Sequence, residues 1–515
     1  MLIDEKELRG LKDTEFKLEK EHHLIAERIK KLNQLKEYGT DPYPHKFNQT
    51  HHSKELHDKY SHLKAEEHTT DSVSIAGRII GFRKLGKLAF GHLRDNDGKI
   101  QVLFNEQETK SFEQIKSLDI GDYLGVNGII FKTKTGELTI KGIEFTVLAK
   151  SLRPLPEKYH GIQDIEIKYR QRYLDLIMDD NSKNIFVLRS KIIKALKEFL
   201  DNKNFMEVET PVLQPIYGGA AAKPFITHHN DLDMKLYLRI SLELYLKRLI
   251  VGGYEKVYEI GKVFRNESID TSHNPEFTLM ECYWAYADYN DVMELVEDAY
   301  NYVALKVLGT TKITYQDKEI ELKKPWKRMT MKEALLEYAY IDTDKLNNDE
   351  LKELLQKNKI EYREDMSKGL LVNQLFKIVE EKLIQPTFII DHPKETTPLC
   401  KLHRKDHELI ERFEPYINGW EIGNAYSELN DPIRQRYLLE EQAKELRSGL
   451  EESNPMDEDF CRAVEYGMPP MGGLGLGVDR MIMLLTNSSS IRDILFFPTM
   501  KNSEEKIITN NPNNR

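Results

Sequence analysis

A chain of 515 residues, 40% apolar and 31% charged, has the composition of a globular protein with a core, not of a disordered or membrane-embedded chain. No apolar run approaches the roughly 18 residues that span a bilayer. The formal net charge of −10, taken alone, argues against a nucleic-acid partner.

The first residues, MLIDEKELRGLKDTEF, are polar and acidic from Asp4 and fit neither a secretory signal nor a transit peptide. Cys282, Cys400 and Cys461 lie far apart with no CxxC. The expectation is a cytoplasmic protein with neither a disulfide framework nor a zinc ribbon. Residues 1–70 read as an N-terminal helical extension. Leu24, Ile25, Ile29, Leu32 and Leu35 recur at helical spacing until GTDPYP breaks the pattern. Eight of the sixteen histidines fall in this stretch: His22, His23, His45, His51, His52, His57, His62 and His68. Their spacing matches no helix-face ligand pair with a following carboxylate, so solvated surface histidines are expected.

Over 71–150 the pattern changes to short alternating runs. SVSIAGRII, KLAFGHLRD, KIQVLFN, DYLGVNGIIF and ELTIKGIEFTVLA read as five strands separated by Gly, Asp and Asn turns. Five short strands in this length suggest a small closed barrel, and the oligonucleotide-binding barrel is the commonest of that kind. Between Ser72 and Lys110, seven basic residues (Arg78, Arg83, Lys84, Lys87, Arg94, Lys99, Lys110) face four acidic ones (Asp95, Asp97, Glu106, Glu108). The barrel is thus locally basic inside an acidic chain, although a purely structural barrel remains open at this point.

LRPLPEKYHG begins a linker, placed at 151–180. Ile185, Leu188, Ile192, Leu196 and Phe199 then form one helical apolar stripe, followed by FMEVETPV as a strand stopped by Pro211. The remaining domain spans 181–505, with a Lys- and Glu-rich helical insertion at about 330–390. The tail NSEEKIITNNPNNR is expected to fray. No GxxxxGK[ST] occurs, and GGLGLGVDR lacks the GxGxxG spacing. His160-Gly161-Ile162 and Met366-Ser367-Lys368 partly resemble the signature pair of class I synthetases, but their flanks do not fit, and both are read as chance.

Three segments carry chemistry. In YEKVYEIGKVFRNESIDTSHNPEFTLMECYW, Val257–Glu267 alternates as a strand with Arg265 and Glu267 on one face. SIDTSHNPE reads as a loop, and the returning strand puts Phe277, Leu279, Glu281 and Tyr283 together. A core would not choose that set, because ionised groups buried without partners are costly. An arginine fork suits a phosphate or carboxylate, and a phenylalanine plate suits an adenine. In ERFEPYINGWEIGNAYSELND, Asn424, Tyr426 and Glu428 share a strand face, and Glu414 and Glu421 could hold a phosphate-bridging divalent ion or form surface ion pairs. In GMPPMGGLGLGVDRMIMLL the glycines allow close approach of a ligand, and Arg480 falls in the first turn of a helix. A packed glycine turn with a capping arginine is the alternative.

These segments resemble motifs 1, 2 and 3 of class II aminoacyl-tRNA synthetases: the helix-strand unit ending at Pro211, FRNE with HNPEFT, and GLGLGVDR. TPVLQPIYGGAAAKPFITHHNDLDMKLYLRISLELYLKRL and GNAYSELNDP are similar to the bacterial-type lysyl-tRNA synthetases. The likeness runs from roughly residue 20 to 500. It implies an α+β chain: a five-stranded OB-fold barrel, then a class II catalytic domain of antiparallel sheet flanked by helices, with a helical insertion. It further implies lysine activation with ATP and Mg2+, transfer to tRNA(Lys), a homodimer built on motif 1, and no membrane association.

The resemblance also implies roles. Arg265, Glu267 and Arg480 form the catalytic set. Arg265, Glu267, His273, Asn274, Phe277 and Arg480 take ATP, and Glu414 and Glu421 take magnesium. Gly218, Glu243, Arg265, Glu281, Tyr283, Asn424, Tyr426 and Glu428 surround lysine, with carboxylates at both ammonium ends. Phe90, Gln101 and Glu137 meet the anticodon, supported by Arg78 and Arg83. An aspartate pocket would need a basic residue where Glu428 stands, and Glu428 with Glu243 argues against an aspartyl- or asparaginyl-type synthetase. A catalytically inactive, RNA-binding or regulatory relative would not need Arg265, Arg480, Glu414 and Glu421 together. No separate editing domain is read.

Overall fold

The computed structural model describes residues 5–156, 164–447 and 454–501. His160-Gly161-Ile162, the end of the LRPLPEKYHG stretch and the tail beyond 501 lie outside the described residues. The chain divides into two compact units, one up to Lys168 and one from Tyr169 onward.

In the first unit, α1 (Glu5–Glu21), α2 (His23–Glu37) and α3 (Ser53–Lys59) precede the strands. The stripe expected in α2 is real: Ile25, Ile29, Leu32 and Leu35 are buried. Its start is set by His22, whose Nδ1 accepts from the Leu24 N–H at 3.1 Å. Strands β1 (His68–Leu85), β2 (Leu88–Arg94), β3 (Lys99–Asn105), β4 (Tyr123–Lys132) and β5 (Leu138–Ala149) close into a barrel in the order β1-β2-β3-β5-β4. Alternation does the work, sending Ala89, Leu93, Ile100, Val102 and Phe104 inward. Leu35, Leu56, Tyr60 and Leu63 extend that core from the N-terminal helices.

The second unit is built on a nine-stranded sheet. Helix α4 (Asp180–Asn202) leads to β6 (Met206–Glu207), then α5 (Glu243–Val251), the hairpin β7 (Lys256–Phe264) and β8 (Glu276–Ala285), and α6 (Tyr289–Leu308). Next come β9 (Lys327–Thr330), helices α7 (Met331–Ala339), α8 (Asn348–Lys357) and α9 (Lys368–Leu375), and β10 (Thr387–Pro393). Further along come β11 (Leu409–Ile417), β12 (Trp420–Glu421), β13 (Gly423–Ser427), β14 (Met471–Gly477) and α10 (Val478–Leu485). The strand order is β9-β10-β11-β13-β14-β8-β7-β6, with β12 paired to β11. All pairs are antiparallel except β9–β10 and β7–β6. The helices α7–α9 form the crossover between parallel β9 and β10, which explains an insertion there. Met366-Ser367-Lys368 is simply the start of α9, where Ser367 accepts from the Leu370 N–H.

Three local readings change. The strand carrying Arg265 ends at Phe264, because the Asn266 N–H turns to Lys223 O (2.8 Å) and the Glu267 N–H to Arg265 O (2.9 Å). FMEVETPV keeps only Met206–Glu207 as strand, because the Thr210 N–H leaves the ladder for Glu259 Oε2 at 3.0 Å. MGGLGLG is not a turn but strand β14, in the middle of the sheet. Its alternation sends Leu474 and Leu476 into the main core under α4 and α6, each worth about 1.5–3 kcal/mol of burial. The opposite face is left bare by Gly473, Gly475 and Gly477.

Candidate active site

The bare glycine face is the floor of a cavity of about 470 Å³. Cross-strand register builds its polar rows. Glu281, Gly475 and Asn424 are direct neighbours across β8, β14 and β13, and so are Tyr283, Gly473 and Tyr426, with Arg412 beyond on β11. A Cβ at Gly473 would collide with Glu428 Oε1 and come within 2.6 Å of the Tyr283 ring. A Cβ at Gly475 would meet no protein atom closer than 3.7 Å, so that space belongs to the cavity.

One end of the cavity is acidic. Glu281 Oε1 accepts from the Leu242 N–H (2.8 Å) and Ser241 Oγ (3.0 Å), and its Oε2 from the Tyr283 hydroxyl (3.0 Å). Burial, and then the Glu243 carboxylate, push its pKa up to about 7. Glu243 opens α5, and its Oε1 accepts from the Tyr426 hydroxyl at 2.6 Å. Glu428, just past β13, is almost wholly buried. Asn424 Oδ1 accepts from Arg412 Nε at 2.8 Å, which turns the amide nitrogen away from that arginine.

The other end carries the arginines. Arg265 is held over the Phe277 ring at 5.1 Å, and its Nε is buried without a hydrogen-bond partner. Burial presses its guanidinium below the ordinary value, against the pull of Glu267, Glu421 and Glu281. Arg480, in the first turn of α10, donates through Nη1 to the Glu421 carbonyl oxygen. Asp479 anchors that turn: Oδ2 accepts from the Thr278 N–H and Oδ1 from Arg189 Nη1, both at 2.7 Å. In the loop, the Asp270 carboxylate accepts from the Ser272 and His273 amides and from His273 Nδ1, which leaves His273 Nε2 beside Arg480 at 3.4 Å. Burial and the Glu414 charge push Glu421 up to about 7.

The cavity wall therefore brings together Arg265, Glu267, His273, Asn274, Phe277, Arg480, Glu243, Glu281, Tyr283, Asn424, Tyr426, Glu428 and Glu421. Two residues are not on it. Gly219, with φ +84° and packed on Ser241, lines the cavity in place of its neighbour Gly218. Glu414 sits behind, its oxygens accepting from Arg412 Nη2 (2.6 Å) and the Tyr416 hydroxyl (3.0 Å). Asn274 lines the wall, but its amide is spent on Glu276 O (2.6 Å) and the Thr499 N–H (3.2 Å).

In the barrel, the face opposite the core carries a second polar group. Gln101 Nε2 donates to Glu137 Oε2 (3.2 Å), and its Oε1 accepts from Thr139 Oγ1 (2.8 Å). His92 Nε2 lies 3.0 Å from Glu137 Oε1. Phe90 is half-buried one step along, opposite exposed Arg83. Arg78 is not with them: it pairs with Arg94 further along β2, donates to Gly121 O at 2.9 Å and stacks on Tyr123 at 4.3 Å. Among the described residues, no group of three or more His, Cys, Asp or Glu side chains is arranged to hold a metal ion.

Residues 164–501 match the family of class II tRNA synthetases (D, K and N), and 73–155 match the OB-fold nucleic acid binding domain. A lysine–tRNA ligase of Clostridium novyi is 51% identical over 97% of this chain and 98% of its own length. Those of Moorella thermoacetica and Bacillus cytotoxicus are 48% and 50% identical over 95% and 93% of this chain and 100% and 97% of theirs. The chain belongs to the lysine–tRNA ligase family of class II synthetases. In this synthetase, sequence reasoning missed the supports of the site: Arg412, Ser241, Asp479 with Arg189, and above all Lys247. The signal for Lys247 was available, since a lysine four residues after Glu243 falls on the buried side of α5.

Proposed function

We propose that this chain joins lysine to its tRNA in two steps. A carboxylate oxygen of lysine attacks the α-phosphorus of ATP, pyrophosphate leaves, and lysyl-adenylate forms. A ribose hydroxyl at the 3′ end of tRNA(Lys) then attacks the carbonyl carbon, and AMP leaves with the bonding electron pair. The observation that carries this reading is the spacing of charge along one cavity: Glu243, Glu281 and Glu428 at one end, Arg265 and Arg480 at the other. A substrate with two ammonium groups is matched by carboxylates, and its carboxylate by a guanidinium.

Each side chain has a part in positioning. Arg265, with a free buried donor, draws the lysine carboxylate and α-phosphate together and takes up charge as the phosphorus crowds. Phe277 and Arg480 sandwich the adenine, Glu267 holds the adenine side, and His273 meets the outer phosphates. Asn274 acts by pinning the loop through Glu276 and Thr499. Gly218 shapes the α-amino side through its neighbour Gly219, Glu243 binds the α-ammonium, and Glu428 with Tyr283 and Asn424 binds the ε-ammonium. Tyr426 walls the chain. A shorter amino acid leaves Glu428 buried and unpaired, which is how the site rejects it.

Magnesium fits the carboxylates. Burial and, after it, the Glu414 charge raise Glu421, and a hard dication held there by the carboxylate and phosphate oxygens would relieve both. When bound, it supplies charge neutralisation on the phosphates. The barrel patch of Phe90, Gln101, Glu137 and Arg83 stacks on and bonds anticodon bases. Exposed Val187 and Met206 on the motif 1 helix and strand, with Val212 and Leu213 just past Pro211, support a homodimer. No helix among the described residues is long and apolar enough to cross a membrane, and the three cysteines are free and buried, as suits the cytoplasm. The test is ATP–pyrophosphate exchange across a panel of amino acids. Lysine alone should drive it strongly; better exchange with aspartate or asparagine would overturn the substrate assignment.

A further inference from the structure

Lys247 is an ammonium with no exposed side-chain surface. It lies on α5, one turn after Glu243. Its Nζ sits 2.5 Å from Glu243 Oε1 and pairs as well with Glu428 Oε2. Three rings close around it, with centroids at 5.4 Å (Tyr426), 5.9 Å (Tyr283) and 6.0 Å (Phe460). Lys247 is absent from the cavity wall, whereas both of its carboxylate partners line it. A fixed cation thus holds, from behind, the two carboxylates that face the substrate space.

The charge balance gives this arrangement a purpose. Glu243, Glu281 and Glu428 place three carboxylates at this end, and a lysine substrate brings two ammonium groups to it. The Lys247 charge removes the surplus. Without it, a buried cluster of this kind sheds charge by taking up a proton. A proton on Glu428 would turn an acceptor for the ε-ammonium into a donor facing it. Lys247 relieves the same charge from outside the substrate space and leaves the cavity-side oxygens as acceptors.

We propose that Lys247 is a positioning and specificity-determining residue of the lysine site, whose ammonium balances the charge of Glu243 and Glu428 from behind and orients both for a dicationic amino acid. The proposal rests on reading the cavity as the lysine site. The charged and titratable groups facing this pair are Glu243 on the same helix, Glu281 and Tyr283 from β8, Tyr426 from β13, Cys400, and Arg412 from β11. Burial outweighs the opposing Lys247 ammonium and holds the Glu428 carboxyl well above the ordinary value. Burial presses Lys247 down, but Glu243 and Glu428 outweigh it and hold it above the ordinary lysine value.

The test compares Lys247→Met, which keeps the chain length and removes the charge, with Lys247→Arg, which keeps the charge. Lysine and ATP KM are read by pyrophosphate exchange, with thermal melting as the check on folding. Lys247→Met should raise lysine KM by about tenfold or more, with less change in kcat and in ATP KM. Its lysine KM should keep falling with pH above about 7, as Glu428 loses its proton, where the wild-type profile set by Glu281 levels off. Its preference for lysine over norleucine, which lacks the ε-ammonium, should narrow. Lys247→Arg should restore the wild-type pH profile even if its KM is raised. A folded Lys247→Met with wild-type lysine KM and pH profile overturns the proposal. If Lys247→Met does not fold, Lys247→Arg decides: a profile that levels off above about pH 7 as in the wild type supports the role of charge, and one that keeps falling overturns it. If Glu428→Gln leaves lysine KM unchanged in the wild-type background, the lysine-site reading itself has failed, which separates the two.

Discussion

At the acidic end of the cavity the polar side chains are already bonded to one another, whereas at the arginine end Arg265 keeps a buried donor without a partner. Glu281 accepts from three protein donors and Glu243 from two, while the buried Nε of Arg265 has none. The acidic end is preorganised, so a substrate ammonium enters a fixed set of acceptors and pays little for reorganisation. The arginine end keeps the unsatisfied Arg265 Nε, whose guanidinium a phosphate or carboxylate would complete. The difference teaches where binding and chemistry are separated: selection is built into the empty protein, and charge stabilisation is completed by the reactants.

The sharpest way to break this contrast is Arg265→Ala. Removing this guanidinium, whose buried Nε has no protein partner, should lower lysine-dependent exchange by about 10²–10³-fold, while tRNA binding, measured by filter retention, stays near wild type. Undiminished exchange would show that the unpaired donor serves no reactant. Next comes Gly475→Ala. The added methyl meets no protein atom closer than 3.7 Å, so the melting temperature should hardly move. It occupies ligand space, however, and should cost about 1–3 kcal/mol of substrate affinity, read as a raised KM for lysine or ATP. A stability loss with unchanged KM would mean that the glycine serves the sheet and not the cavity. Phe90→Ala carries the comparison to the barrel. It should weaken tRNA charging by about 1–3 kcal/mol in kcat/KM for tRNA and spare pyrophosphate exchange. An equal fall in both would remove the patch from tRNA contact.

The smallest effect is in pH. Glu281 stands at about 7 because burial and Glu243 favour its neutral form. A substrate ammonium favours the carboxylate, so lysine KM should fall as pH rises through about 7, by up to about tenfold per unit below it. The sign for stability is the reverse. The raised carboxyl binds more protons folded than unfolded, so its contribution declines as pH rises from about 4.5 towards 7, and bound lysine should cancel that decline. Titration calorimetry near pH 6 in buffers of different ionisation enthalpy should register proton release on lysine binding. No release would place Glu281 outside the lysine contacts.

Much of this was legible in the chain itself. Period-2 alternation marked the barrel strands and the face bearing Phe277, Glu281 and Tyr283, because a strand sends alternate residues to opposite sides whatever surrounds it. The stripe Ile192, Leu196, Phe199 marked α4 for the matching reason in a helix. Elsewhere the local signal misled. Arg265 continues an alternating run and still donates its N–H to Pro275 O, yet the run stops there because the next amide, Asn266, turns to Lys223 O. GGLGLG has the composition of a turn and becomes the central strand, because neighbours on both sides satisfy its backbone and Leu474 and Leu476 bury its other face.

The sequence by itself therefore determined which residue types could do the chemistry and which strand faces carried them, since both follow from local period and side-chain chemistry. Only the tertiary structure decided that Glu243 from a helix, Glu281 from one strand and Glu428 from another share a single cavity end, that Gly219 and not Gly218 reaches its wall, and that Lys247 stands behind them as their counter-ion. Those facts depend on cross-strand register and helix docking between segments far apart in the chain, where burial turns a surface-type lysine into a fixed internal charge.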